Sequence, residues 1–260
     1  MNRSQHLIKK IKMWRADDQT ITPESAQVVR EVVLSVMING RLYANIACAG
    51  HHLDELAAGF LRSEKIISSR KNILKLDIDA RHHRVNIMLE KKKKTSGTTV
   101  KNIASSGARG KFLLQETRNP LLTTDHAIIQ TSVILKLMDQ LLNNSKIHNR
   151  TGGTHCSALA AGGKMIVLRE DIGRHNTIDM LGGHALLNDL DLSKAMILTT
   201  GRISSEIVYK VGHMGIPVIV SHSAPTANAV VLSDQLGITM IGYVRGGKMN
   251  IYTHERRVVI

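Results

Sequence analysis

Cysteine, proline and aromatic residues are scarce in this sequence, and acid is scarce relative to base. Cys48 and Cys156 are its whole cysteine content. Two thiols supply neither a disulfide framework nor a four-cysteine zinc site, so a reducing cytoplasm is the expected location. One Trp, four Tyr and two Phe are scattered along 260 residues. Single-strand and RNA binders interleave stacking rings with basic residues, so nucleic acid is not an expected partner. No apolar run approaches the ~20 residues of a membrane-spanning helix. The opening MNRSQHLIKKIKMWRADD breaks its apolar residues with lysines, unlike a secretory signal. GxxxxGK[ST], GxSxG and the zinc-deaminase pair HxE…PCxxC are all missing. No zinc or other metal site is expected.

Positive charge and glycine are plentiful, and they are segregated. Residues 1–150 carry 25 Lys and Arg against 13 Asp and Glu, whereas residues 151–260 carry 10 against 8. Glycine runs the other way, with 6 before residue 151 and 14 after it. This predicts a basic region followed by one rich in tight turns. The excess of base suits a polyanion: a phosphate-rich cofactor, an acidic protein surface or nucleic acid. The lysine run 91–94 reads instead as a solvated surface.

Hydrophobic periodicity places the elements. Residues 31–50 read as two strands joined at Asn39-Gly40. Residues 51–64 put Leu53, Leu56, Ala57, Phe60 and Leu61 on one helical stripe. Alternation returns over 73–79 and 84–90, completing a small α+β module. From 91 to about 120 no period survives, and 91–115 is expected to be a mobile, lysine-rich loop. Thr124 or Asp125 then caps a predicted helix running to Asn143, with Ile128, Ile129, Val133, Leu135 and Met138 apolar. Beyond Thr151, strands at 164–170, 195–200, 217–222 and 238–244 alternate with helices at 174–188, 204–214 and 226–236. That rhythm predicts a largely parallel sheet covered on both faces, with 248–254 as an antiparallel edge. His51-His52 and His82-His83 lack helical ligand spacing and read as surface.

Ligands of open α/β sheets lie beyond the carboxyl ends of the strands. The residues leaving these strands are Glu170, Asp171, Gly173, Arg174, His175 and Asn176; Gly201, Arg202, Ser204 and Ser205; Ser223 to Thr226; and Arg245, Gly246, Gly247 and Lys248. Gly152, Gly153 and His155 precede Cys156. Glycine admits close backbone approach, helix starts favour anions, and arginine grips phosphate or carboxylate in bidentate fashion. Each exit alone reads equally as an ordinary helix cap; together they read as a site for a large, multiply phosphorylated molecule. Cys156 beside His155 is either an activated thiolate or a small core residue.

TGGTHCSAL, EDIGRHNTID, TGRISSE, SAPT and GYVRGGKMNIYT, in this order, resemble the formate dehydrogenase accessory sulfurtransferase family (FdhD/NarQ type). VMINGRLYANIACAGHHLDELAAGFLRSEKII resembles that family's opening. The resemblance implies a cytidine-deaminase-like three-layer α/β/α domain (123–260) behind a smaller amino-terminal α+β subdomain with its basic loop (1–122, loop 91–122). It further implies a homodimer. By resemblance, sulfur passes from a cysteine desulfurase to the molybdenum (or tungsten) of a bis-molybdopterin guanine dinucleotide. That cofactor is bound as cargo and delivered to formate dehydrogenase apoenzyme. The segment of Tyr243, Val244, Arg245, Gly246, Gly247 and Lys248 corresponds to one associated with cofactor binding.

The same resemblance places Ser106 and Arg109 where the family carries the cysteines of a C-x-x-C. A serine hydroxyl forms no persulfide, and arginine is no nucleophile. By elimination, any residual sulfur relay would have to use Cys156. Three functions stay open at this point: a sulfurtransferase, a non-catalytic chaperone of the cofactor, and a nucleotide-processing enzyme. A C-x-x-C favours the first, its replacement favours the second, and the guanine compounds bound test the third.

Overall fold

The computed structural model describes residues 7–90, 100–103 and 128–260. Ser106, Arg109, the run 91–94 and the predicted caps Thr124 and Asp125 lie outside them, as does most of the expected mobile loop.

Asn39 and Gly40 both take positive φ, 49° and 78°, the primed-turn geometry whose twist matches that of the strands it joins. They connect β3 (Val32–Ile38) to β4 (Arg41–Cys48), as the sequence predicts. With β5 (Ile73–Asp79), β6 (Arg84–Leu89) and β7 (Lys101–Ile103) these form a five-stranded sheet in the order β5-β6-β3-β4-β7. β7 corrects the reading of 91–120 as wholly irregular. Lys101, Asn102 and Ile103 pair in parallel with Ala44, Asn45 and Ile46, a run too short to show a period. α1 (Leu53–Ser63) covers this sheet, burying Leu56, Phe60 and Leu61 against Leu34, Val36, Ile46 and Ile87. β1 (Ile8–Ala16) and β2 (Ile21–Val29) form a separate antiparallel hairpin that the pattern analysis misses, because most of its side chains are exposed.

The second sheet has six strands in the order β10-β9-β11-β12-β13-β14: β9 (His155–Ala161), β10 (Lys164–Asp171), β11 (Ala195–Thr199), β12 (Val218–Ser221), β13 (Thr239–Arg245) and β14 (Lys248–Thr253). It is mixed rather than largely parallel. Only β11-β12 and β12-β13 run parallel, while β9 pairs antiparallel with both β10 and β11. β9 hides in the sequence because HCSALAA is buried on both faces and shows no alternation. β14 is the antiparallel edge expected of the tail.

Helices lie on both faces of this sheet. α2 (Thr131–Asn144) packs Ile134, Leu137, Met138 and Leu141 on Ala158, Leu198, Val220 and Ile241. It begins five or six residues later than predicted, since Ile129 and Gln130 form β8 (Ile129–Gln130), paired with β15 (Val258–Val259), and Ile128 is exposed. A short α3 (Lys146–Thr151) leads into β9. On the opposite face lie α4 (Arg174–Leu187), α5 (Ser205–His213) and α6 (Ala227–Gln235).

α4 belongs to two cores. Ile178, Leu181 and Ala185 face the six-stranded sheet, whereas Met180 and Leu186 join α1 and the five-stranded sheet. A helix buried between two sheets has no single apolar stripe, and the polar side chains that α4 buries, Asp179 among them, are partnered. Charged tethers fix the same junction. Arg169 Nε and Nη2 donate to Glu55 at 2.5 and 2.6 Å, with His184 Nδ1 at 2.9 Å. Lys210 pairs with Asp179, which also accepts from Ser63 Oγ at 2.6 Å. Among the described residues no helix is long and apolar enough to cross a membrane.

Candidate functional site

The loop leaving β11 and the first turns of α4 and α5 converge. Gly173 is the N-cap of α4 and Ser204 that of α5, and neither helix start receives a side-chain cap. Their uncapped N–H groups carry partial positive charge. His175 Nε2 lies 3.0 Å from Glu206 Oε2, joining the two first turns. A Cβ on Gly201 would come 3.0 Å from Cβ and 3.2 Å from Cδ of Arg174, and 3.6 Å from His155 Nδ1. The exit from β11 therefore lies directly on Arg174 and His155, and glycine leaves them room.

Two guanidiniums, Arg174 and Arg202, meet at this corner with the Glu206 carboxylate. Burial lowers the Arg174 pKa first, and the nearby Arg202 guanidinium lowers it further, with Glu206 opposing. Arg174 Nε and Ser204 Oγ are both buried without a hydrogen-bond partner among the described residues. Burial also lowers the His155 pKa, assisted by Arg174 and His148, so its imidazole is neutral near pH 7. Two guanidiniums, an orphaned buried N–H and two helix starts suit a dianion such as phosphate or pyrophosphate.

The other exits join this corner in series. Ser221 Oγ donates to the Gly201 carbonyl at 2.8 Å. Ile203 donates to Ala224 O and accepts from Thr226 N, while Tyr243 N donates to Ser223 O. Thr226 Oγ1 accepts from Ala229 N, so Thr226 is the cap of α6. The stretch through Gly246 and Gly247, read from sequence as a strand exit, is the hairpin turn between β13 and β14. It presents Arg245 stacked 4.8 Å from the Tyr243 ring centre, beside exposed Lys248.

Several predicted residues do other work. Val244 is in the core. Gly152, with φ at 64°, terminates α3, and Gly153 packs against Val29. Asn176 is buried, its amide donating to Ala47 O at 2.8 Å and to Asp171 at 2.7 Å. Cys156 is fully buried, and burial pushes its thiol up to about 12, as it does for Cys48. Of the two readings of Cys156, the inert core residue is the one its surroundings fit.

Sequence reasoning misses Glu206 as a site group, and names Asp171 without its partners. Glu206 stands two residues beyond the helix cap, where a carboxylate reads as ordinary first-turn chemistry. His51, read as surface, is half-buried and sits 2.6 Å from the Glu170 carbonyl. Glu170 itself accepts the N–H groups of Ile147 and His148 at the start of α3.

The sequence signature of the FdhD/NarQ family matches residues 29–259, which takes in every one of these segments. The chain belongs to the FdhD/NarQ family. Family relatives are similar over almost the whole length. Proteins named sulfur carrier protein FdhD are 34% identical over 251 residues in Bacillus licheniformis and 33% identical over 250 residues in Bacillus subtilis, each comparison covering 95% of both chains. One from Staphylococcus aureus (strain JH9) is 35% identical over 249 residues, 94% of each. The fold is similar to a crystal structure described as a candidate formate dehydrogenase accessory protein from Desulfotalea psychrophila. The TM-score is 0.81 at 21% identity, over 97% of this chain and all of that one.

Proposed function

We propose that this chain is an accessory protein for formate dehydrogenase maturation that holds a guanine-dinucleotide pterin cofactor as cargo. The observation that carries the reading is the corner of His155, Arg174, Gly201 and Arg202, where two uncapped helix starts meet two guanidiniums and an unpartnered buried Arg174 Nε. Such a corner suits one pyrophosphate of a molybdenum or tungsten bis-molybdopterin guanine dinucleotide. The series of exits ending at Tyr243 and Arg245 gives length for a nucleotide, with the stacked pair presenting a flat polar face. In this reading 123–260 is a cytidine-deaminase-like domain that binds the cargo, 1–122 is the smaller module, and the protein works as a cytoplasmic homodimer.

The named relatives are sulfur carriers, and the family reading adds a cysteine desulfurase as donor. In this chain the cargo-binding role is favoured over a sulfur-carrying one. The sequence contains no C-x-x-C, and both of its thiols are buried with pKa values near 12.

Calorimetric titration with GDP tests the cargo site. Binding is expected, and Arg174→Ala weakens it about tenfold, the scale of one lost charged hydrogen bond. No heat at millimolar GDP would discard the reading. Incubation with a desulfurase and cysteine, followed by intact-mass spectrometry, tests the second part. The chain is expected to keep its unmodified mass.

A further inference from the structure

We propose that Asp171 and Asn176 are positioning residues that fasten the first turn of α4, and with it Arg174 and His175, to the end of β4 in the other sheet. The inference rests on the cargo site above and assigns it a second support.

Asp171 is the last residue of β10 and is fully buried. Its Oδ2 accepts from Ala49 N at 2.8 Å. Its Oδ1 accepts from Gly173 N at 3.0 Å and from Asn176 Nδ2 at 2.7 Å. The same Nδ2 donates to the Ala47 carbonyl at 2.8 Å. One carboxylate and one amide thus hold both sides of a two-residue stretch, Arg174 and His175, and reach across to Ala47 and Ala49. Each arm crosses more than 120 residues of sequence.

Geometry separates this role from ordinary capping. Asp171 has no hydrogen on its ionised oxygens and faces three donors, so every lone pair it uses has a fixed direction. An anion gripped by Arg174 needs that side chain's backbone held in place before the ligand arrives. A site held by locked supporting groups loses affinity when they are loosened, even if the fold survives. The cargo site is therefore set partly by the amino-terminal sheet, although no residue of that sheet enters the corner described above.

The two arms can be cut separately. Asp171→Asn keeps an acceptor for Gly173 and Asn176 but turns an NH2 toward the Ala49 N–H. Asn176→Ala removes the arm to Ala47. GDP affinity is measured by calorimetry at a temperature where circular dichroism shows both variants fully folded. Both are expected to bind about tenfold more weakly than the wild type, with faster hydrogen exchange at Arg174 and His175 amides and unchanged exchange in β11 and β12. Wild-type affinity in both folded variants, with only a lowered melting temperature, overturns the inference while leaving the cargo site standing. Failure of the wild type itself to bind GDP removes the cargo reading, and the inference with it.

Discussion

Gly59 of α1 lies against the backbone of Asp179 in α4 so closely that a Cβ on it would stand 1.7 Å from the Asp179 carbonyl oxygen. Gly183 answers from the other helix, where a Cβ would stand 1.8 Å from the Glu55 carbonyl oxygen. The contact is backbone to backbone, so no rotamer change can relieve an added methyl. Gly59→Ala must push the helices apart, and with them the Glu55–Arg169 and Asp179–Ser63 tethers. A loss of about 3 kcal/mol or more is expected, at or beyond the upper end of ordinary overpacking. The shift in urea midpoint measures it.

Lys210 and Asp179 form a buried ion pair, with both side chains nearly excluded from water. Lys210→Met leaves the Asp179 carboxylate buried beside Ser63 alone. The expected cost is about 3–5 kcal/mol, the usual range for stripping one partner from such a pair. Adding Asp179→Asn to that variant removes the orphaned charge and should recover much of the loss. Denaturant titration of the single and double variants checks this.

Glu55 predicts how stability falls in acid. Burial raises its pKa, but hydrogen bonds from Arg169 and His184 outweigh burial and hold it below the ordinary 4.5. A folded-state pKa below the unfolded one means the contribution is complete above about pH 4.5 and is lost as pH falls through the folded value. Asp171 runs the opposite way: burial raises it from 3.8 to about 6, so its contribution declines as pH rises across that interval. Urea midpoints from pH 3 to 7 should show wild type and Glu55→Gln far apart at neutral pH and converging in acid. A constant gap would contradict the assignment.

Cys48 and Cys156 should resist iodoacetamide at pH 8 in the folded protein and react fully in urea. Burial raises both thiols to about 12, leaving almost no thiolate. Introducing Ser106→Cys together with Arg109→Cys should create sulfur loading from a desulfurase where the unmodified chain shows none. Intact-mass spectrometry reads both results.

Local pattern carried the elements. Asn39-Gly40 announced its turn, the stripe Leu53, Leu56, Phe60 announced α1, and the βα rhythm after residue 163 placed three of the parallel-paired strands and three helices within a few residues. These follow from neighbours in the chain, because side-chain period and turn chemistry act over two to four residues. The order of motifs also pointed to the family. Tertiary structure alone decided that β9 enters the sheet antiparallel, that α4 serves two cores, and that Asp171 reaches back to Ala49. It alone brought Glu206 to His175 and Gly201 onto Arg174 and His155. The contacts of Gly201 with Arg174, Glu206 with His175 and Asp171 with Ala49 join residues 27, 31 and 122 apart in the chain, and a buried carboxylate, a first-turn glutamate or a loop glycine carries no local sign of the partner that long-range packing will bring to it.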